Sequence, residues 1–467
     1  MLPFIALAVL GIVLLYAGLT KNNRLLVPIA VAGLLVTLGF TLKAWDSLVA
    51  YYNRMALIDN FSIAFNTVAI ISTILILLLS VFYYKNVKEH VAEVYALMLF
   101  SLFGGFLMTG YTNLVLLFIG IETLSIPLYV LAGSKKSSLR SNEASFKYFL
   151  MGAFSSAILL MGIALIYGAV GSFHLATIPV LIKKTYGFIL GTPGVYPGIL
   201  HIGILLVLVG FAFKVAAVPF HFWTPDVYEG SPTIVTIFMA TVVKTLGFAA
   251  FYRFFATFGP IDTIWKDILW VIIVLTLLVG NLGALNQKGT KRMLAYSSIS
   301  HSGFMLIAII AINKLSAGSL LFYSMAYSFA TIAAFGVLIS IKNYLQQSDN
   351  LAIFNGLAKK NPLLALIMTI ALLSMAGIPV TAGFFAKYYI FVNAVSQGYV
   401  WLTLIGIAAA LIGVYYYFRI IVAMYFKEGD STLPKVEVQP LFLATLLFVT
   451  FMTLAMGLFP GWFIDLI

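Results

Sequence analysis

The sequence contains no cysteine, so neither disulfide bonds nor zinc or iron–sulfur sites with cysteine ligands form within this chain. Charged residues are also scarce, since Asp, Glu, Lys and Arg together supply 9% of the chain. The loops between the apolar runs are too short for a soluble domain, and no segment has the composition of a flexible linker. These absences predict a single transmembrane domain over residues 1–467.

Apolar residues dominate what is present. They make up 62% of the chain, and the mean hydropathy is +1.07, more than the core of a soluble protein of 467 residues requires. A bilayer-spanning helix needs about 20 apolar residues, and the run that starts at Met1 without a basic flank is predicted to be a span rather than a signal peptide. The sequence therefore predicts an all-α polytopic membrane protein with about 14 transmembrane helices. The predicted spans are 2–20, 25–43, 61–83, 92–110, 112–133, 145–170, 199–222, 231–256, 264–286, 292–312, 316–341, 362–395, 398–426 and 438–464.

The net charge of +12 is better explained by membrane topology than by nucleic acid binding, because the basic residues are dispersed over short loops. These spans place more than twice as many lysines and arginines on one side as on the other. The richer side carries Lys21, Arg24, Lys85, Lys88, Lys135, Lys136, Arg140, Lys147, Lys288, Lys291, Arg292, Lys342, Lys359, Lys360, Lys427 and Lys435. The poorer side carries Lys43, Arg54, Lys183, Lys184, Arg253, Lys266 and Lys314. The positive-inside rule makes the richer side cytoplasmic and predicts that both termini face the outside.

Four charged residues, Glu122, Lys214, Lys244 and Lys387, lie deep inside the predicted spans, and Arg419 also lies within a span at a depth that the span boundaries leave open. A charge at that depth costs roughly 2.5 to 3.5 kcal/mol on the insertion scale, so each is a candidate functional residue. Glu122 and Lys214 are opposite in sign, and we predict that they form an ion pair. Lys244 and Lys387 have no acidic partner within the spans, and a buried lysine that changes its protonation state can relay protons. For Lys387, which lies nearer a helix end, snorkelling towards the membrane surface is an open alternative.

Prolines next to these charges predict helix breaks. Proline removes a backbone donor and clashes with the carbonyl four residues earlier, so Pro219 frees the carbonyl of Val215 beside Lys214. A free carbonyl at membrane depth is tolerated only against protein or a hydrated cavity. An ordinary proline kink is the alternative interpretation.

The same argument applies to Pro127, which frees the carbonyl of Thr123 next to Glu122, and to Pro379 with Gly383 ahead of Lys387. Two discontinuous helices in corresponding positions are typical of inverted-repeat transporters. The sequence thus predicts inverted repeats over about 92–256 and 264–426, although the two prolines do not fall in register.

Two histidines are weaker candidates for the site. His301 lies near the middle of the tenth span between two serines, and it is either a proton relay or a hydrogen-bonded structural residue. His221 lies at the cytoplasmic end of the seventh span, where a proton-transfer role and a helix-end role are equally open.

Asp226 and Glu229 are predicted to lie in a loop. The buried groups fall at similar depths on different helices, which predicts a row parallel to the membrane plane that needs bridging waters between its members.

Five segments carry a resemblance to a known family. The segment GFAFKVAAVPFHFWTPDVYEGSPT at 210–233 resembles the signature of the antiporter-like membrane subunits of respiratory complex I. LLFIGIE at 116–122, EASFKYF at 143–149, KRMLAYSSISH at 291–301 and AGIPVTAGFFAK at 376–387 are similar to further blocks of that family. The resemblance spans nearly the whole chain, and the form DVYEGSP is most similar to the subunit N branch.

The resemblance implies a proton-translocating subunit of NADH:quinone oxidoreductase. By motif, Glu122 and Lys214 would be the modulating ion pair, Lys244 the connecting relay and Lys387 the terminal lysine that exchanges with the outer side. Val380 stands where many relatives have a second proline, so the resemblance does not determine the local backbone shape at the break ahead of Lys387.

The same resemblance implies where the chain works and with what. NADH, FMN, iron–sulfur clusters and quinone are expected in partner subunits, with no cofactor in this chain. Its partners would be the other complex I membrane subunits, through them the redox arm, and the lipid bilayer, with no nucleic acid. The expected location is the bacterial inner membrane, with both termini periplasmic. A subunit of a cation/proton antiporter and a structural membrane scaffold are the alternatives, although a single intramembrane acid among lysines favours protons over sodium.

Overall fold

The computed structural model describes the chain except for residues 21, 86, 88–89, 183–197, 259–261, 346–348, 429–435 and 465–467. Helices account for nearly all of the regular structure. The first helices are α1 (Leu2–Gly18), α2 (Asn23–Lys43), α3 (Asn60–Tyr83), α4 (Val91–Thr109), α5 (Leu114–Ala132), α6 (Leu139–Val170), α7 (Gly198–Lys214), α8 (Trp223–Gly230), α9 (Thr233–Phe238) and α10 (Lys244–Thr257). The remaining helices are α11 (Asp262–Leu285), α12 (Thr290–Ile310), α13 (Ser316–Leu345), α14 (Leu357–Lys360), α15 (Pro362–Ala376), α16 (Ala382–Ser396), α17 (Val400–Phe426), α18 (Pro440–Leu458) and α19 (Gly461–Ile464). Strands β1 (Val49–Tyr51) and β2 (Ala56–Ile58) form an antiparallel hairpin between α2 and α3.

The helices coincide with the predicted spans. Within the described residues, 11 helices are long and apolar enough to cross a membrane, and α1, α7 and α15 are shorter apolar helices in the remaining predicted spans. The prediction of an all-α polytopic membrane protein is therefore confirmed. Several basic residues that entered the charge comparison lie outside the described residues: Lys21, Lys88, Lys183, Lys184 and Lys435.

The centre of the bundle is formed by three of these spans. In the most apolar window of Thr233–Thr257 and of Ser316–Lys342, 100% of the residues are buried inside the protein, and in Thr290–Ile310 the share is 94%. The corresponding share for Val400–Phe426 at the periphery is 33%. Three of the functional candidates, Lys244 and His301 on these spans and Lys214 next to them, are therefore enclosed by protein rather than lipid.

Two of the three predicted breaks, those near Pro219 and Pro379, are present, whereas α5 continues as one helix through Pro127, as the alternative of an ordinary proline kink allows. The seventh predicted span, 199–222, is helical only as far as Lys214, after which the backbone enters the left-handed region at Ala216 (φ 59°). The twelfth span breaks after Ala376, with left-handed residues at Gly377 (φ 86°) and Val380 (φ 76°) before α16 begins. The inverted repeat over 92–256 and 264–426 stays a prediction.

The short helix α8 contradicts one prediction. Asp226 and Glu229 lie on α8 rather than in a loop. The misleading residue is Pro225, which occupies the first turn of α8, where a missing backbone N–H costs no intrahelical hydrogen bond.

The span that carries Lys244 contains a wider turn. Residues 239–243 form a π-helical turn between α9 and α10, and Lys244 is the first residue after it. Such single turns insert one extra residue into a helix and are frequent at functional sites. All five residues of the turn are buried.

Close backbone contact fixes α5 against α4. A Cβ added at Gly104 would lie 2.3 Å from the backbone nitrogen of Leu124 and 2.8 Å from the carbonyl oxygen of Gly120. Backbone atoms cannot rotate away as a flexible side chain can, so only glycine allows this approach. The contacted backbone, from Gly120 to Leu124, contains Glu122, so this packing helps to position that carboxylate.

An ion cluster ties α8 to two neighbouring spans. Lys147 Nζ on α6 contacts Asp226 Oδ2 at 2.8 Å. Arg292 Nη1 on α12 contacts Asp226 Oδ1 at 2.8 Å and Glu229 Oε2 at 2.9 Å. Lys291, which is buried, adds hydrogen bonds from its Nζ to the backbone oxygens of Glu229 and Ser231, at 3.0 and 2.6 Å. The segment that follows the broken seventh span is thus held by charges from both sides.

The α4–α5 contact generates a stability prediction. Gly104→Ala should lower the free energy of unfolding by about 1–3 kcal/mol, because the added methyl group overpacks a backbone contact. Thermal unfolding of the detergent-solubilised protein, followed by tryptophan fluorescence, measures the change. The matched control is Gly39→Ala on α2, where an added Cβ meets nothing within 4 Å. Equal unfolding temperatures for the two variants would contradict the prediction.

The ion cluster generates a pH prediction. Burial raises the pKa of Asp226, but hydrogen bonds and charges from Lys147 and Arg292 outweigh it and hold that pKa below its usual value. A lowered pKa means that the carboxylate stabilises the fold above its unfolded pKa of about 3.9, and that this contribution disappears as pH falls through the folded pKa. Asp226→Asn should therefore be less stable than the parent protein at pH 7, and the difference should shrink below about pH 4. Thermal unfolding across this pH range measures it, and a stability difference that stays constant from about pH 7 to about pH 3 would contradict the prediction.

Candidate functional site

Lys214 is the last residue of α7 and is buried. Its Nζ donates a hydrogen bond to Ser125 Oγ on α5 at 2.7 Å. A cation at the C-terminus of a helix also interacts favourably with the helix dipole. The positive charge is thus stabilised by a hydroxyl and a helix end.

The ion pair of Glu122 and Lys214 stays a prediction, since the carboxylate acts electrostatically on Lys214 but the ammonium donates its hydrogen bond elsewhere. Glu122 lies three residues before Ser125 on the same face of α5, and its Oε1 is buried without a hydrogen-bond partner among the described residues. The ammonium of Lys214 instead meets the side chain one turn further along the helix, because α7 ends level with Ser125. The two charges belong to one site, but a serine hydroxyl stands where direct contact was predicted.

The free backbone carbonyl at the helix break after Lys214 is hydrogen-bonded by a side chain of the protein. The carbonyl of Val215, which Pro219 leaves without its helical partner, accepts a hydrogen bond from Ser302 Oγ on α12 at 2.6 Å. Ser302 lies next to His301, so the break is tied to the helix that carries the next part of the site.

Lys214 lies against the helix of Lys244. Its Cγ would be 3.8 Å from a Cβ on Gly247, which lies three residues after Lys244 on α10. Residues three apart in a helix share one face, so the two lysines face the same space between α7 and α10.

Lys244 points from α10 to α12. Its Nζ donates to the backbone oxygen of Ser298 at 2.6 Å and also to Ser298 Oγ. The ammonium lies 5.5 Å from the ring centroid of Tyr327 on α13, within the range of a cation–π interaction. Lys244 is 3% exposed, so every acceptor around it belongs to the protein.

His301 continues the row one turn beyond Ser298 on α12. Its ring lies 4.7 Å from that of Tyr327, the same ring that Lys244 approaches. Its Nδ1 is 2.7 Å from the hydroxyl of Tyr323, and its Nε2 is 3.2 Å from the hydroxyl of Tyr417. Both nitrogens of the imidazole are thus engaged by hydroxyl groups that can donate or accept.

Lys387 completes the row at the second helix break. It is 7% exposed, and its Nζ donates to the backbone oxygens of Met375 and Ala376 at 3.1 and 2.7 Å. These are carbonyls of the last turn of α15, the negative end of its dipole. The ammonium is bound by backbone carbonyls inside the protein, so this geometry does not support the snorkelling alternative.

The space between His301 and Lys387 contains both aromatic and polar surfaces. Lys387 Nζ lies 4.8 Å from the ring centroid of Phe304, whose ring is 6.2 Å from that of His301. A cavity of about 10 Å³ is lined by His301, Tyr323, Met375 and neighbouring residues. A cavity of this size is close to the minimum for one water molecule.

None of the contacts described above involves His221 or Arg419. His221, between α7 and α8, is 6% exposed, and its Nδ1 has no hydrogen-bond partner among the described residues. Arg419 on α17 donates from Nη1 to the backbone oxygen of Leu285 at 2.6 Å, and so it caps the end of α11.

Sequence reasoning missed the neutral partners of the buried charges. Ser125, Ser298, Tyr323 and Tyr417 look like ordinary polar residues of a membrane helix, and Lys291 looks like a helix-end cation. One signal was available, because 297–302 holds five polar residues in six positions of an otherwise apolar span.

The arrangement can transfer protons between neighbouring groups but offers few anionic ligands. One carboxylate and three ammonium groups are interleaved with hydroxyls, an imidazole and backbone carbonyls. Within the described residues, no group of three or more His, Cys, Asp or Glu side chains could hold a metal ion.

Comparison with known proteins identifies the family. Residues 111–413 match the family described as NADH:quinone oxidoreductase/Mrp antiporter, TM. NADH-quinone oxidoreductase subunit N of Flavobacterium psychrophilum is 42% identical over 458 residues, which cover 98% of this chain and 98% of that protein. The subunit N of Flavobacterium johnsoniae is 40% identical over 472 residues and covers 99% of each chain.

Solved structures agree with this assignment. A chain of respiratory complex I from Thermus thermophilus has a TM-score of 0.83 and 34% identity, over 99% of this chain and 98% of that one. A chain of the archaeal membrane-bound sulfane sulfur reductase has a TM-score of 0.86 and 25% identity, over 100% and 94%. A chain of the Mrp complex from Dietzia, at 21% identity and a TM-score of 0.82 over 100% and 96%, shares the fold. The chain is therefore a multi-pass membrane protein of the NADH:quinone oxidoreductase/Mrp antiporter family, and its sequence groups it with the relatives named subunit N.

Proposed function

We propose that this chain translocates protons as a membrane subunit of a bacterial NADH:quinone oxidoreductase. Protons would pass along the row that begins at Glu122 and Lys214, continues through Lys244 and His301, and ends at Lys387. The electrons that drive this movement would be handled elsewhere, since NADH, FMN, iron–sulfur clusters and quinone are assigned to partner subunits.

The observation that carries the proposal is the bonding of the three lysines. Each ammonium is buried, and each donates to a neutral oxygen: a serine hydroxyl for Lys214, a serine carbonyl and hydroxyl for Lys244, and two helix-end carbonyls for Lys387. Losing one partner of a locked buried ion pair leaves the other charge uncompensated and costs several kcal/mol. A lysine held by neutral acceptors has no fixed counter-ion to strand, so its proton can leave and return.

Glu122 would act as a second partner for the ammonium of Lys214, which would move between two positions. Lysine has a flexible four-carbon stem, and Glu122 lies three residues, a rise of about 4.5 Å along α5, from the present acceptor of Lys214. With its ammonium turned to the carboxylate, Lys214 would hold its proton. With the ammonium on Ser125, Lys214 would pass the proton towards Lys244 more readily. The unpartnered Oε1 of Glu122 supports this two-position arrangement.

The side of the membrane follows from the charge distribution. The loop-side basic residues favour a cytoplasmic location for the ends of α6, α8 and α12 that carry the ion cluster, with both chain termini in the periplasm.

Purifying the native complex with a gentle detergent tests the proposed partnership. Co-purifying flavin and iron–sulfur subunits with NADH oxidation would support it, whereas their absence would favour an antiporter subunit.

Removing the charge of Lys244 should stop the relay. Lys244→Met keeps much of the side-chain volume but has no exchangeable proton. Proton pumping coupled to NADH oxidation in reconstituted vesicles should fall by about tenfold or more. The matched control is Lys136→Met, in an exposed loop, which should pump as the parent does. A fully active Lys244→Met complex would refute the relay and support a purely structural role for the buried charges.

A glycine pair tests the placement of Lys387. Gly377 and Gly398 both adopt left-handed backbone conformations, with φ of 86° and 83°. A Cβ at Gly377 would lie 2.9 Å from Lys387 Cδ, whereas one at Gly398 meets nothing within 4 Å. Both alanine variants carry the same backbone strain, of order 1 kcal/mol, but only Gly377→Ala displaces the lysine from its carbonyls. Pumping per NADH oxidised should therefore drop in Gly377→Ala and stay at the parent value in Gly398→Ala. Equal ratios in both variants would contradict this role for the second helix break.

A further inference from the structure

A large groove opens at one end of the bundle, away from the row of buried charges. It encloses about 1480 Å³, more than the roughly 300–1,000 Å³ of an ordinary small-molecule pocket. Its walls come from α2, the end of α3, and the starts of α4 and α18. The charged residues Arg24, Lys85 and Glu93 line its end nearest the helix termini, which is called the mouth below, and Val31 and the exposed Leu35 line it further along α2.

The mouth of the groove is positively charged. Arg24 and Lys85 lie beside it and, within the described part of the chain, neither forms a salt bridge with an acidic side chain. His90 also lines the mouth, and the lining acid Glu93 is engaged with His90 at 3.2 Å. Two cations thus remain for an anionic group. The charge of the loops favours the cytoplasmic side for this mouth.

The groove also contains an unused hydrogen-bonding group. The hydroxyl of Tyr84, a lining residue that follows the last turn of α3, is buried and has no hydrogen-bond partner among the described residues. A buried hydroxyl without a partner costs free energy. A ligand with acceptor oxygens at the mouth would offer it one.

The apolar wall has the length of one lipid leaflet. From Arg24 to Leu35 the helix α2 rises by about 16 Å at 1.5 Å per residue. Half of a hydrocarbon core of about 30 Å is about 15 Å. Below the charged mouth, the wall of α2 and α3 is apolar, with Val27, Val31 and Leu78 among its residues. A ligand with an anionic head and an acyl chain of leaflet length fits both parts of the groove.

We propose that this groove binds an anionic phospholipid. The phosphate lies between Arg24 and Lys85, where a turn of the Tyr84 ring would bring its buried hydroxyl to a phosphate oxygen, and an acyl chain runs along α2 towards Leu35. The lipid joins α2 to α3, α4 and α18, and so it stabilises the outer helices against the bundle. The site is independent of proton translocation, because none of its residues belongs to the row from Glu122 to Lys387.

Native mass spectrometry of the assembled complex tests the proposal. The purified complex is titrated with an equimolar mixture of phosphatidylglycerol and phosphatidylcholine, and the lipids that remain on this subunit after its release in the gas phase are counted. The parent should retain one phosphatidylglycerol in preference to phosphatidylcholine. The double variant Arg24→Gln, Lys85→Gln should bind phosphatidylglycerol about 30-fold more weakly. Each charge lost near the headgroups weakens binding by about 1 kcal/mol, and about 1.4 kcal/mol corresponds to a tenfold change in affinity.

Two further variants separate charge from shape. Lys135→Gln with Lys136→Gln makes the same change of charge in an exposed loop outside the groove, and phosphatidylglycerol retention should equal that of the parent. Val31→Trp fills the groove without changing charge, and it should lower retention of the lipid while NADH oxidation by the complex shows that the subunit is still assembled.

Three results would overturn the proposal. The first is equal phosphatidylglycerol retention in the Arg24, Lys85 double variant and the parent. The second is retention of phosphatidylcholine without preference. The third is a photo-crosslinker at position 31 that labels a helix of a neighbouring subunit rather than a lipid, which would make the groove a protein interface.

Discussion

The burial of a lysine ammonium away from water is the constraint on which the rest of this structure depends. Each of the three ammonium groups in the row, those of Lys214, Lys244 and Lys387, must find acceptors inside the bundle, since an unsolvated charge would cost far more than the fold can supply. Two of the solutions use the C-terminal end of a broken helix. Lys214 terminates α7, and Lys387 binds the final carbonyls of α15. The breaks that interrupt the seventh and twelfth spans are therefore the means by which the protein carries positive charge at membrane depth.

Much of this architecture could be predicted from the sequence. The apolar runs give the spans because bilayer thickness sets helix length, and Pro219 and Pro379 give the breaks because proline cannot donate to the helical ladder. The same rarity of charge that makes the chain a membrane protein makes Lys244 conspicuous. In these cases a local physical rule acts on a few adjacent residues, and no knowledge of the neighbouring helices is needed.

The remaining features depend on which side chains meet across helices. Ser125 rather than Glu122 accepts from Lys214 because α5 and α7 meet at a height that one sequence does not determine. The hydroxyl of Tyr417 reaches His301 from a helix more than a hundred residues later in the chain. The helical conformation around Pro225 was missed for a simpler reason, since a proline in the first turn of a helix and a proline in a loop look alike without the flanking contacts.

The π-helical turn at 239–243 constrains how this segment can change length. It holds one residue more than an α-helical turn would, so losing a single residue there would restore a regular α-helix with every backbone bond intact. The segment would still be apolar and continuous, and it would still cross the membrane. Because the wider turn completes one rotation with one residue more than an α-helical turn, Lys244 would keep its direction relative to the helix before it. Losing a residue from the regular helix α9 would instead rotate Lys244 by about 100°, away from Ser298. In this span, a change of length that the wider turn absorbs and one that turns the buried amine away differ only in where the residue is lost.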